Sequence, residues 1–162
     1  NWDTDNLYIT ALVTDNNFSQ PATGGDIWQG DSLQIAATAE VPGSSATVST
    51  SSTQGHYEYG LALTSQGSQL YRWIAPTGEA TGSVTDAVSQ VIRDDAGRTT
   101  LYKLALPWHD LTSVQPTANG VFSISALVND TDNGTREGYL QWGGGIGATK
   151  DVAQFNMAQL MP

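Results

Sequence analysis

The chain has no cysteine, which removes disulfide staples, thiolate nucleophiles and the usual structural zinc sites in one step. Positive charge is almost as scarce. Six Lys and Arg stand against sixteen Asp and Glu, a formal net charge of -10, and no basic block breaks the acidic background. Binding to phosphate backbones or to anionic lipid needs concentrated positive charge, so neither nucleic acid nor a membrane surface is an expected partner. No apolar run approaches the ~20 residues of a membrane-spanning helix. Long amphipathic helices are missing too, and 162 residues correspond to one domain with one core.

What is there is alternation with period two. In "NLYITALVT" (6–14), Leu7, Ile9, Ala11 and Val13 share one face, while Tyr8, Thr10, Leu12 and Thr14 share the other. The same pattern runs through 31–38, 56–63, 68–75, 87–94, 99–106, 121–130, 137–142 and 153–160, which makes nine candidate strands. Turn formers separate them, among them Gly67, Asp94-Asp95-Ala96-Gly97, Asn119-Gly120 and Asn133-Gly134. One helical turn is expected, in "LPWHDLT" from Leu106, opened by Pro107. Many short strands without crossover helices predict an all-β fold: a two-sheet antiparallel β-sandwich, jelly-roll-like, spanning 1–162 as a single domain. Two stretches, 15–30 and 41–55, are too long for hairpin links and are therefore functional or excursive loops.

Catalytic constellations are thin. His56 and His109 lie in no HExxH-type spacing, there is no GxSxG elbow, and "GGGIG" (143–147) lacks the Lys-Ser/Thr ending of a phosphate loop. The chain is thus expected not to be an enzyme. Oxygen-rich loops suit a hard cation such as calcium better: Asp3 and Asp5 in "WDTDN", Asp15 in "VTDNN", Asp130 and Asp132 in "NDTDNG", and Asp31 just before a strand. None of these loops has EF-hand spacing.

The aromatics are the concentrated signal. Five tryptophans, Trp2, Trp28, Trp73, Trp108 and Trp142, and six tyrosines exceed what a small core readily hides. Sugar rings present C–H faces to an indole and hydroxyls to planar polar side chains around the rim. Gln34, Arg72, Asn129, Arg136, Glu137 and Gln141 are such side chains near these aromatics in sequence.

The segments "WDTDNLYITALVTD", "DIWQGDSLQIAA", "YKLALPWHDL", "FSISALVNDTD", "QWGGGI" and "FNMAQL", in this order over residues 2 to about 160, resemble the family 9 carbohydrate-binding modules and their wider kin. The resemblance implies a β-sandwich with structural calcium. It also implies a noncatalytic module attached to a secreted polysaccharide-degrading enzyme such as a xylanase. Family members hold the terminal sugar of a glucan or xylan between two tryptophans. Carried onto this chain, those are Trp28 and Trp142, with Gln34 where many relatives have Glu, Arg72 from a middle strand, and Asn129, Arg136 and Gln141 at the rim. Such modules begin with a strand or two before the "WD" motif, so a first strand is expected to be lacking here. A monomer in the secreted compartment is the expected form. Two other readings belong beside this one: a β-sandwich interaction or cell-surface module with the tryptophans in its core, and a haem-binding relative using His56, His109, Met157 or Met161.

Overall fold

A computed structural model describes residues 1–41 and 55–162. Nearly all of the Ser/Thr-rich stretch at 41–55 therefore lies outside the described residues. Among the described residues ten strands follow one another: β1 (Asn6–Thr14), β2 (Ser32–Thr38), β3 (His56–Thr64), β4 (Gly67–Ile74), β5 (Gly82–Ser83), β6 (Val88–Asp94), β7 (Thr99–Pro107), β8 (Val121–Asp132), β9 (Thr135–Trp142) and β10 (Asn156–Gln159). All nine expected strands occur. The two-residue β5 is the addition, too short to leave a periodic signal. The predicted helical turn is a 3-10 turn, Trp108–Asp110. The last strand is shorter than expected because Val152–Gln154 forms a 3-10 turn, in which the Ala153 N–H donates to the Asp151 side chain.

The strands form two antiparallel sheets. The smaller has the order β1-β7-β6; the larger runs β10-β8-β2-β3-β4-β5, with β9 also paired to β8. Alternation decides which side chains meet between them. Leu7, Tyr102, Leu104, Leu106 and Val91 from the small sheet pack with Leu33, Ile35, Tyr57, Tyr59, Leu61 and Leu70 from the large one. Asn133 and Gly134 both take positive φ, as the two-residue turn joining β8 to β9 requires.

The sequence pattern puts Gln34, Ala36 and Thr38 on the side of the large sheet turned away from this core, where polar residues would normally meet water. Every residue of β2 is nevertheless buried, and β3 is nearly so. A second apolar cluster explains this. Ala36 and Leu127 on the outer face are covered by Ile146, Val152 and Phe155 from the connection between β9 and β10.

Arg72 belongs to the core side. It pairs with Tyr59 across the β3–β4 ladder, and its guanidinium lies 3.1 Å from Asp110 Oδ1 and donates to the Tyr59 hydroxyl at 3.3 Å. Its Nε donates to the Ala80 carbonyl. Burial pushes the Asp110 carboxyl up, and Arg72 opposes that shift. Breaking one partner of such a buried pair strands the other charge, so Arg72→Ala should lower the unfolding free energy by about 3 kcal/mol. Denaturant titration measures it, and a loss below ~0.5 kcal/mol would show that the pair is solvated.

Candidate functional site

The outer face of the large sheet is only partly covered, and the remainder is a cleft of about 310 Å3 lined by Gly25, Trp28, Gln34, Glu58, Trp73, Ile74, Arg136, Ile146, Gly147 and Lys150. Three local features build it.

The first is a β-bulge. The β3–β4 register shifts between Glu58 and Tyr59, which pair with Ile74 and Arg72, so Trp73 is the extra residue of β4. A bulge re-aims a side chain. The outer edge of the Trp73 ring reaches over Gly60, where a Cβ would sit 2.1 Å from its Cη2. Its Nε1 donates to the Gly25 carbonyl at 2.7 Å. That bond anchors the second feature, the 3-10 turn Gly24–Gln29 carrying Trp28, whose ring is 41% exposed.

The third is the glycine-rich connection after β9. Gly143 and Gly145 have positive φ, and a Cβ at Gly145 would meet the Asp151 carbonyl at 2.1 Å. The chain therefore folds tightly over the sheet, and Ser125 Oγ lies 2.9 and 2.8 Å from the carbonyls of Trp142 and Gly144. Ile146 becomes one wall and Lys150 an end.

Two charged groups define the cleft's chemistry. Glu58 is only 3% exposed, and Lys150 Nζ donates to both of its carboxylate oxygens, at 2.6 and 2.7 Å. Burial pushes the Glu58 carboxyl up and Lys150 pulls it back. Arg136 has its guanidinium 5.9 Å from the Trp28 ring and 5.0 Å from the Tyr139 ring, and its Nε donates to Asn129 Oδ1 at 2.8 Å.

Of the residues singled out in the sequence, Trp28, Gln34 and Arg136 line this cleft. Asn129, 1% exposed, stands behind it and holds Arg136. Gln141 accepts from the Gly147 N–H at 3.1 Å and braces the wall. Arg72 and Trp142 do not line it. Trp142 pairs with Ala126, which pairs with Ile35, so alternation turns it to the opposite face from Gln34. Arg72 shares the core face with Tyr59. The second indole at the cleft is Trp73, together with Glu58 and Lys150, none of which was selected from the sequence. Gly60 was the available signal, since a glycine inside a strand marks close approach of another group.

The acidic residues divide similarly. Carboxylate oxygens of Asp15, Asp31 and Asp130 lie within 4.8 Å of one another. Asp31 accepts from the Ser19 and Thr131 amides at 2.5 and 2.8 Å, tying the 15–30 loop to β8. Burial pushes its carboxyl up to about 6. Asp132 adds to the repulsion felt by Asp130. Asp3 and Asp5 sit at the other end of β1, roughly 30 Å away at ~3.4 Å per residue. Asp3 accepts there from the Asp5 and Asn6 amides and the Tyr8 hydroxyl.

Two of the haem ligands considered, His56 and Met157, do not converge. His56 and Met157 occupy one row across β3, β2, β8 and β10 through Thr38 and Ser123, three strand spacings or roughly 14 Å apart. His109 bonds to Asp86 at the surface.

A family model described as carbohydrate family 9 binding domain-like matches residues 1–161. No curated protein matches the sequence. Among solved structures, a family 9 carbohydrate-binding module from Caldicellulosiruptor kristjanssonii in complex with glucose is 15% identical. The alignment covers 98% of this chain and 72% of that one, with a TM-score of 0.56. A family 9 module from the same organism in complex with cellotriose is 17% identical over 99% of this chain and 71% of that one, also at 0.56. At these identities the likeness is one of fold.

Proposed function

The chain belongs to the carbohydrate family 9 binding domain-like family, and on that premise we propose that the cleft over β2 and β3 holds the terminal sugar of a β-glucan or xylan chain, without catalysis. The observation that carries this reading is the meeting of two indoles, Trp28 and Trp73, with Gln34, Glu58 and Arg136 at one cleft. Indole faces take the C–H side of a pyranose, and the polar groups take its hydroxyls. The glucose and cellotriose held by the two related modules are ligands of the same class. In this reading the module is a secreted monomer that raises the local concentration of an attached polysaccharide-degrading enzyme, such as a xylanase, on its substrate.

Intrinsic fluorescence titrated with cellobiose tests it. Trp28→Ala should weaken binding by ~2 kcal/mol or more, whereas Trp142→Ala should leave it unchanged. Reduction of cellobiose to the alditol should cost at least about tenfold. Equal affinity for both sugars would reject end recognition, and loss of binding in Trp142→Ala would relocate the site.

We also propose calcium as a structural ion at Asp15, Asp31 and Asp130. No ion pair reaches these three carboxylates among the described residues, and oxygen donors this close suit a hard cation. Without the ion, Asp31 binds its proton more tightly in the folded than in the unfolded chain. Its stabilising contribution is then full below about pH 4 and is lost as pH rises through about 6. Calcium should reverse that loss, so the gain in melting temperature over chelator should be larger at pH 7 than at pH 4. The stabilisation by calcium should reach ~2.7 kcal/mol at a hundred times the dissociation constant and vanish in Asp130→Asn. Identical melts with calcium and with chelator at pH 7 would reject the site.

One edge of β1 supports the expectation of a further strand. On the side away from β7, β1 is met among the described residues by the Trp2–Leu7 bridge, the Asp3 amide on the Asn6 carbonyl and Asn1 bonded to Tyr8. Leu140 and Trp142 face inward by register yet are 79% and 57% exposed. Clefts of about 720 and 420 Å3 lie between β1 and β8 to β10. We propose that a further strand, supplied from outside residues 1–162, pairs with the Thr10–Thr14 edge. Hydrogen exchange of the Thr10 and Leu12 amides should then slow at least tenfold in a longer natural protein, and equal exchange in both forms would reject the strand.

A further inference from the structure

Charge in the cleft is unbalanced in a direction opposite to the rest of the molecule. The chain carries only six Lys and Arg, yet two of them, Arg136 and Lys150, line this one cleft beside a single carboxylate, Glu58. Lys150 Nζ sits on both Glu58 oxygens and is spent on that pair. Arg136 is left over. No carboxylate lies within ion-pair distance of it among the described residues.

Arg136 is also held in place. Asn129, a neutral acceptor, takes its Nε–H, and Asn129 is itself fixed by donating from Nδ2 to the Ser32 hydroxyl at 2.9 Å. The Trp28 and Tyr139 rings flank the guanidinium. Only Nε has a partner among the described residues, which leaves the Nη donors for a ligand. A planar guanidinium with two free donors on one edge matches a carboxylate bidentately, and such charge-assisted bonds are about twice as strong as neutral ones. A neutral sugar hydroxyl would use that edge poorly.

We infer that the cleft prefers a sugar bearing a carboxylate, a uronic acid, with the ring on the tryptophan platform and the acid group on the Arg136 fork. This inference rests on the reading of the cleft as a sugar site and names the class of sugar. Arg136 is the specificity-determining residue. Lys150 is not, because moving its ammonium to a ligand would leave the Glu58 carboxylate buried and unpaired.

Titration of the intrinsic fluorescence with glucose, glucuronic acid, glucuronamide and acetate at pH 7 tests the inference. Glucuronic acid should bind at least about tenfold more tightly than glucose and than glucuronamide, which keeps the shape and loses the charge, while acetate should bind negligibly. Arg136→Gln should remove the difference between glucuronic acid and glucuronamide, read as the ratio of the two affinities within the variant. Arg136→Lys should retain only part of that difference, since it keeps the charge without the fork. Should Arg136→Gln fail to fold, the comparison of glucuronic acid with glucuronamide in the unaltered protein still decides. Glucose binding as tightly as glucuronic acid, or acetate competing at equal concentration, would overturn the preference while leaving a sugar site. No response to any of the sugars would overturn the sugar-site reading and this inference with it.

Discussion

Glu58 lies in the middle of a seven-stranded sheet with its carboxylate out of water, and the layout of the cleft follows from how that charge is met. An isolated buried carboxylate would cost several kcal/mol or take up a proton. Here Lys150 meets both oxygens. Lys150 belongs to the connection between β9 and β10, so the ion pair pins that segment across the outer face, where Ile146, Val152 and Phe155 close over Ala36 and Leu127. Apolar cover and buried charge thus support each other. His56 shares this dry environment: burial first, and Lys150 second, push its imidazole down to about 4, so it is neutral near pH 7.

The opposite wall depends on a vacancy. Gly60 pairs with Gln34 in the ladder, and the absent side chain makes room for the Trp73 ring. Trp73 in turn holds Gly25 and with it the turn that carries Trp28. The 15–30 loop is tied a second time, at its far end, by Asp31 to Ser19 and Thr131. A loop long enough to wander is thereby fixed at Gly25 by the ring of the bulged residue and at Ser19 and Asp31 by a buried carboxylate. Arg136 completes the rim because Asn129 and two aromatic rings hold it.

Much of the fold was legible from period two alone. Leu33, Ile35, Tyr57, Tyr59, Tyr102 and Leu104 stand at alternate positions, and all enter one core, because a strand has only two faces and burial of one decides the other. The cleft was less legible, for the same reason carried one step further. Alternation in β9 gives one face to Gln141 and the other to Trp142, but which face is outer depends on the register with β8 and β2, a tertiary fact. Regular alternation from Leu70 and Arg72 already puts Trp73 on the outer face; what the sequence did not show was that this face bears the cleft, nor the bulge that pairs Ile74 with the outward Glu58.

The sequence by itself determined the two-sheet class, the absence of disulfide chemistry, the acidic character and the aromatic surplus, because these are sums or short-range periodicities that no packing can alter. It also singled out Trp28, Gln34 and Arg136, which the fold brings to one cleft. The tertiary structure alone decided that Trp73 rather than Trp142 shares the cleft with Trp28. It also decided that Asp15 and Asp130 meet Asp31 while Asp3 and Asp5 do not, and that Lys150 neutralises a glutamate 92 positions away. Each of these depends on which strands become neighbours, and that is set by burying the whole core at once rather than by any local stretch of chain.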